Sequence, residues 1–354
     1  MVDLSIIIST VDRERMLANA LDSVAKSIWT PEAAEVIIVD NGSSDRTAQV
    51  CKDIAKQFPR IHWRYFYDDM PGLLTGRHRG AKEAKGEILA YVDDDVLLTP
   101  AWLEALQKAF SDPNVVLVGG PSTPAFETNP PSWLEGFWTE FEGGCRCECL
   151  SLIQCGDTIK PIDPVYIWGL NFSIRKKTFE DYGGFHPDLI PDTLQRYQGD
   201  GESGLAYKIQ AAGFVGLYHP AAAVKHVIPA YRLTPVSFAR RGFYQGVCDS
   251  FTRIRAERRV PAKQPRSWKD FFRPAKRKTE RDAILRGPTA EGVRRLYWRA
   301  YSAGIQFHQN EVRNDQRLLD WVLRQNYFDY RLPDGWQQYH HARLKARVKP
   351  DLKT

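Results

Sequence analysis

The stretch Ile88-Leu-Ala-Tyr-Val-Asp-Asp-Asp95 constrains the fold more than any other part of the chain. Its apolar residues read as a buried strand, yet they run straight into three carboxylates, and burying those charges unpaired would cost far more than the strand gains. The acids must therefore lie at the strand's open end. In a parallel α/β sheet that end is where ligands bind, and a hard divalent cation holds adjacent carboxylates together. Asp93, Asp94 and Asp95 thus read as a metal and phosphate site. The competing reading is a solvated acidic turn, because Thr99-Pro100 has the character of an N-cap followed by proline at the first helical position.

The segments around this stretch have one rhythm. Leu4 to Thr10 and Glu35 to Asp40 are further strands, Trp63 to Tyr67 a third, and Val115 to Gly119 a later one. Helix-compatible runs lie between them at Arg13 to Lys26, Arg46 to Phe58, Thr75 to Lys85 and Thr99 to Phe110. Continuous apolar strands alternating with helices of that length imply βαβ crossovers and a Rossmann-like, mostly parallel α/β sheet. A dinucleotide fold would place G-x-G-x-x-G after the first strand, where this chain has Ser9-Thr-Val-Asp-Arg-Glu, so a dehydrogenase is excluded. Asp40 at a strand end can instead accept from the imide N–H of a uracil-like base, and Arg77 can pair with a diphosphate.

At 354 residues and 43% hydrophobic content the chain can bury one large core or two ordinary ones. No apolar run approaches the length of a membrane span, and the first residues lack a secretory pattern, so a cytoplasmic location is expected. Four of the six cysteines cluster as Cys145, Cys147, Cys149 and Cys155, but C-x-C-x-C is a poor zinc pattern, and reduced thiols are the expectation. The net charge of +6 conceals an asymmetry: residues 253–354 hold 25 Lys and Arg against 11 Asp and Glu. Such a region can face an anionic membrane, nucleic acid or a partner, although a solvated helix face is the commoner cause.

Five segments together resemble family 2 glycosyltransferases of the GT-A fold: Ser5 to Arg13, Val36 to Asp45, Pro71 to Ala81, Ala84 to Asp95 and Gly183-Gly-Phe. Their order and spacing agree over about residues 3–230. The resemblance implies a nucleotide-sugar site at Thr10, Asp12, Arg13, Asp40, Arg77, Asp93 and Asp94. It also implies Mn²⁺ or Mg²⁺ on Asp95, with Asp93 in or near the metal shell and His226 at a position that sometimes completes it. Two positions depart from the pattern, with His78 where the family has Asn and Val11 where it has Tyr. Trp168, Gly169 and Asn171 resemble the W-G-A-N segment of the sugar pocket; a core tryptophan is the alternative for Trp168. In Gln198-Gly-Asp-Gly-Glu-Ser-Gly-Leu205 the register puts Glu202 where the catalytic carboxylate sits, with Asp200 as its rival.

These readings divide the chain into a catalytic domain over 1–232, its nucleotide-sugar half about 1–120 and its acceptor half about 121–232, and a helical, basic region over 233–354. In that region Pro235 to Arg259 reads as a helix, Ala262 to Arg281 as a Pro- and charge-rich linker, and Thr289 to Arg324 as one or two amphipathic helices. The expected activity is metal-dependent, inverting transfer of a sugar from a nucleotide diphosphate, UDP favoured, to a hydroxyl of a saccharide or lipid-linked acceptor. Surface polysaccharide or glycoconjugate synthesis is the expected setting, with peripheral contact at the inner face of an anionic membrane and no role for nucleic acid. The alternatives are a nucleotidyltransferase and a non-catalytic glycan- or nucleic-acid-binding protein. The first usually needs a Gly-rich basic loop after the first strand, and Ser9 to Arg13 has no Gly.

Overall fold

A computed structural model describes residues 3–28, 34–262, 274–329 and 332. The first half alternates as expected: β1 (Leu4–Thr10), α1 (Glu14–Ser27), β2 (Glu35–Asp40), α2 (Thr47–Gln57), β3 (His62–Tyr67), α3 (Leu73–Glu83) and β4 (Ile88–Val92). Next come β5 (Val96–Leu98), α4 (Trp102–Phe110), β6 (Leu117–Gly119) and β7 (Ser122–Phe126). Four short strands follow, β8 (Thr139–Phe141), β9 (Gly144–Cys147), β10 (Leu152–Gln154) and β11 (Lys160–Ile162). The chain continues with β12 (Asn171–Arg175), α5 (Lys176–Asp181), α6 (Gly201–Ala211), β13 (Gly216–Tyr218) and β14 (Val224–Ile228). Helices α7 (Pro235–Glu257), α8 (Pro274–Arg286), α9 (Ala290–Asn314) and α10 (Gln316–Leu323) complete the described chain.

The main sheet has eight strands in the order β11-β13-β6-β12-β4-β1-β2-β3. Strands β1, β2 and β4 are buried along their whole length, which is why they are unbroken apolar runs, whereas edge strand β3 is half exposed. Parallel pairing sets Thr10 beside Asp40 and Ile7 beside Tyr91, so the carboxyl ends of β1, β2 and β4 open on one edge. Strand β12 runs antiparallel to β4, with Asn171 beside Val92. That reversal brings the segment just before β12, Trp168-Gly169, against the acids that follow β4.

A second sheet, β5-β14-β7-β10-β9-β8, was not legible in the sequence. Its pairing of Val96 with His226 delivers His226 to the neighbourhood of Asp95, and the Val227 N–H donates to the Asp95 carbonyl at 2.8 Å. All six cysteines are free thiols. Burial pushes Cys147 and Cys149 up to about 12, so both are protonated thiols in the metal-free chain.

The C-terminal helices pack onto the catalytic half. Phe238, Val293 and Leu296 share one apolar cluster with Trp133, Leu134 and Leu150, and Phe251, Ile254 and Trp321 share another with Ile190. Each such side chain, fully buried, contributes roughly 1.5–3 kcal/mol. Helices α7 and α9 approach closely because Gly246 faces the Tyr301 carbonyl and Gly304 faces that of Phe243, leaving no room for a Cβ. Within the stretch expected as a linker, Pro274–Arg286 is helix α8, with proline in its first turn; residues 263–273 lie outside the described residues.

Candidate active site

The three acids after β4 avoid the cost of burial by fanning out to separate partners. Asp94 turns inward: its Oδ2 accepts from the Thr10 hydroxyl at 2.7 Å and its Oδ1 from Arg13 at 2.6 Å. Burial raises its carboxyl to about 6, with Arg13 opposing and the charge of Asp95 adding to the rise. Asp93 turns the other way, to Arg77 at 2.5 Å. Asp95 points to His226 and shares Arg13 at 3.0 Å.

Asp95 and His226 form the half-built centre of a cation site. The His226 Nδ1–H donates to the Leu150 carbonyl at 2.9 Å, so its Nε2 carries the lone pair. That Nε2 lies 3.5 Å from Asp95 Oδ1, which is buried and has no hydrogen-bond partner. The Nε2 lone pair accepts from Arg232 at 2.9 Å, so a divalent cation between Nε2 and Asp95 would take the place of that guanidinium, and a carbonyl on the far ring nitrogen is the usual brace for a metal-binding histidine. Burial alone would raise the Asp95 carboxyl, but the charges around it, those of the Arg13 and Arg232 guanidiniums among them, hold it well below the usual range. Among the described residues no group of three or more His, Cys, Asp or Glu is gathered as a metal site. Asp93, expected in or near the metal shell, pairs with Arg77 here, and a cation bound with phosphates usually keeps substrate oxygens and water among its ligands.

Arg77 is the hinge pin of the site. It projects from α3 at 2% exposure, donating to Asp93 and, at 2.8 Å, to the Gly169 carbonyl. Its Nη1 stands 4.0 Å from a Glu202 carboxylate oxygen. The other Glu202 oxygen accepts from the Gly169 N–H at 3.1 Å, so one residue's backbone links the guanidinium to the carboxylate. Sequence reading aimed Arg77 at a diphosphate; in the structure it is a buried strut between Asp93 and the Gly169 carbonyl, near Glu202, and its Nη1 has no hydrogen-bond partner among the described residues. A Cβ at Gly169 would collide with the Arg77 guanidinium. Gly169→Ala is therefore expected to displace both Arg77 and Glu202, lowering kcat/KM by roughly tenfold or more with little loss of soluble protein. Steady-state kinetics beside a thermal melt check this, and unchanged kinetics would remove the strut role.

Asp200 and Glu202 have different surroundings. Asp200 is buried and both its oxygens are engaged, Oδ1 with His186 Nδ1 and Oδ2 with the Thr252 hydroxyl, each at 2.6 Å. Burial works to raise Asp200, yet His186 and Thr252 bring it below the usual range. It is an ionised tether between the loop before α6 and helix α7, whereas the Glu202 side chain keeps 23% of its surface exposed.

Three histidines add an acid sensitivity. Burial lowers His78 to about 3 and both His186 and His308 to about 4. His78 Nε2 accepts from the Phe185 N–H at 3.0 Å, a bond that only the unprotonated nitrogen can make. The unfolded chain takes up these protons near pH 6.5 and the fold only near pH 4 or below, so stability falls as pH drops through that window. Asp94 and Asp188, both raised to about 6, protonate early in the fold and offset part of the loss. The unfolding free energy from urea melts is expected to drop between pH 7.5 and pH 5 by a net few kcal/mol, because each tenfold difference in proton affinity between folded and unfolded chain is worth about 1.4 kcal/mol. A flat profile would contradict the burial of neutral histidines.

The remaining expected residues divide between open and internal positions. Asp40 is buried, accepting from the Ser43 N–H at 2.7 Å and the Tyr65 hydroxyl at 2.6 Å. Asp12, at φ +52°, accepts from the Ser44 N–H at 2.7 Å and so stitches the loop after β1 to the loop after β2. Trp168 is half-buried between the two main core clusters. The Asn171 amide joins α4 to the loop before β14, accepting from Trp102 Nε1 and donating to the Ala222 carbonyl, both at 2.9 Å. Both of its polar atoms are thus engaged within the fold. Sequence reading missed Arg232, which donates to His226 Nε2 at 2.9 Å and lies 4.0 Å from Asp95. It missed Tyr65, His186 and Thr252 as well; none of these carries a local pattern, since each acts through a contact distant in sequence.

The chain is similar in sequence and in fold to known proteins. Over 251 residues the chain is 26% identical to a glucosyl-dolichyl phosphate glucuronosyltransferase of Haloferax volcanii, covering 68% of this chain and 74% of that protein. It is 32% identical to the glycosyltransferase AglE of the same organism over 119 residues, which span 33% of this chain and 38% of AglE. The fold is similar to that of the mannosyltransferase PcManGT from Pyrobaculum calidifontis, solved in complex with GDP-Man and Mn²⁺, at TM-score 0.52 and 16% identity over 97% of this chain and 80% of that one. Residues 5–191 match the description Glycosyl transferase family 2. That match spans more than half of the 354 residues, and the chain belongs to glycosyl transferase family 2 and is a glycosyltransferase.

Proposed function

We propose that this glycosyltransferase is metal-dependent and inverting, and that it moves a sugar from a UDP-sugar to a hydroxyl of a lipid-linked glycan in surface polysaccharide or glycoconjugate synthesis. The observation that carries the reading is Glu202. It is a partly exposed carboxylate held by the Gly169 N–H, one residue away from the Arg77–Asp93 pair at the carboxyl end of β4. In a single displacement Glu202 takes the proton of the acceptor hydroxyl as its oxygen bonds to the anomeric carbon, while the bond from that carbon to the diphosphate breaks. Asp95 and His226 would hold Mn²⁺ or Mg²⁺, which would supply neutralisation of the charge on the departing diphosphate. Asp40, Asp12 and Thr10 shape the loops beside that edge where the nucleoside is proposed to lie. The lipid-linked acceptor is supported by the glucosyl-dolichyl phosphate named for the Haloferax volcanii relative.

Among the described residues no helix is long and apolar enough to cross a membrane. We therefore place the lipid-linked substrate at a peripheral contact with the inner face of the membrane, through the basic C-terminal region. The test is turnover of UDP-, GDP- and dTDP-sugars with Mn²⁺ or Mg²⁺, with and without a lipid-linked saccharide, and the anomeric configuration of the product read by NMR. Turnover of a UDP-sugar with inverted configuration is expected. A retained configuration would overturn the mechanism, and exclusive use of another nucleotide would overturn the donor.

A further inference from the structure

Among the described residues, an open groove of about 620 Å³ lies between the Asp192–Tyr197 turn and helices α7, α8 and α9. Its walls are Val236, Phe243, Leu285, Leu296 and Phe307, and the lining is almost wholly apolar. Val236 and Leu285 are 60% and 38% exposed, so two large aliphatic side chains face an opening to solvent. The size lies within the roughly 300–1,000 Å³ of small-molecule sites, which are likewise apolar with a few polar groups. Three charged residues line it, Arg240, Arg281 and Asp192, giving two guanidiniums against one carboxylate. Asp192 accepts from Arg240 at 3.1 Å and from the Tyr244 hydroxyl at 2.9 Å, fixing one guanidinium, while Arg281 lies 3.4 Å from Asp282.

The position of the groove ties it to the transfer site. The Asp192–Tyr197 turn leads directly into Gln198 and the loop that ends at Glu202. On the other wall, α7 begins just after Tyr231-Arg232, where Tyr231 accepts from Arg13 at 3.4 Å and Arg232 donates to His226. An apolar groove with cationic groups, set between the segment carrying Glu202 and the one carrying Arg232, fits a ligand with an apolar chain, an anionic link and a polar end. A free saccharide has no use for such a groove, and a bilayer surface calls for a convex face.

We infer that this groove receives the isoprenoid chain of the acceptor lipid, with Arg240 and Arg281 meeting its phosphate. The inference rests on the transferase reading above for the identity of the acceptor, and its test is separable from that reading. Farnesyl phosphate, dimethylallyl phosphate and inorganic phosphate are titrated into the full chain by calorimetry. The same titrations are made on Val236→Glu/Leu285→Glu, which alters exposed wall positions, and on Ala300→Trp, which fills the groove from α9.

Farnesyl phosphate is expected to bind at least roughly tenfold tighter than dimethylallyl phosphate, as added buried methylenes require, and each variant is expected to lose that preference while binding a UDP-sugar as the wild type does. Equal affinity for all three probes, or a preference that survives in both variants, overturns the inference. So does binding to anionic vesicles without binding of farnesyl phosphate, which would assign this face to the membrane surface. Donor hydrolysis on the same wild-type sample isolates the other reading. A farnesyl preference without donor turnover upholds the groove and removes the transferase mechanism.

Discussion

Glu202→Gln is expected to lose about 10²- to 10⁴-fold in transfer rate, the contribution of a general base, while donor affinity stays near the wild-type value. The reason lies in the two carboxylate oxygens. One accepts from the Gly169 N–H at 3.1 Å, which a glutamine carbonyl oxygen can still do, so the loop keeps its shape. The second faces Arg77 at 4.0 Å, and an amide there can neither take a proton nor balance the guanidinium. Asp200→Asn makes the contrast, because Asp200 is occupied by His186 and Thr252. Its loss should appear as lower stability, about 1–3 kcal/mol for a disturbed buried bond, with kcat much less affected. Initial rates with a saturating acceptor, donor titration and urea melts on both variants separate the roles. If Asp200→Asn instead abolishes transfer and Glu202→Gln does not, the proposed base is the wrong one of the two.

What could be read from the sequence follows the range of the interactions. Strands β1, β2 and β4 announce themselves because both faces are buried and nearly every residue must be apolar. Helices α7 and α9 are legible through apolar residues at three- and four-residue spacing. The second sheet is not, since β5 and β10 have three residues each and too few positions to display a period. Helix α8 was hidden for a different reason: Pro274 suggests a linker when it in fact stands in the first helical turn. Within the site, the acidic triplet shows that charge collects at the end of β4, but not how it is shared. The pairing of Asp93 with Arg77 depends on antiparallel β12, which sets the Gly169 carbonyl beside the same guanidinium. Likewise, Asp200 is distinguished from Glu202 by Thr252 on α7, a contact between positions 52 apart in the chain.

Asp95→Asn is expected to remove metal-stimulated turnover, by roughly 10²- to 10³-fold if the cation contributes a few kcal/mol at the leaving group, each 1.36 kcal/mol being about tenfold. The backbone should be spared, because the Asp95 carbonyl that binds the Val227 N–H remains and the substituted amide has the shape of the carboxylate. What changes is charge. Asp95 Oδ1 is a buried acceptor 3.5 Å from His226 Nε2, whose lone pair accepts from Arg232, and an amide presents there either a weaker ligand oxygen or an N–H where a cation would bind. A direct readout accompanies the kinetics: Mn²⁺ titration followed by electron paramagnetic resonance, on wild type, Asp95→Asn and His226→Gln. Each variant is expected to weaken Mn²⁺ binding at least roughly tenfold, as loss of a ligand does. Asp93→Asn should weaken it less, since Asp93 is committed to Arg77. Wild-type affinity in Asp95→Asn, or undiminished wild-type turnover in EDTA, would show that the site does not work through a cation held by these two side chains.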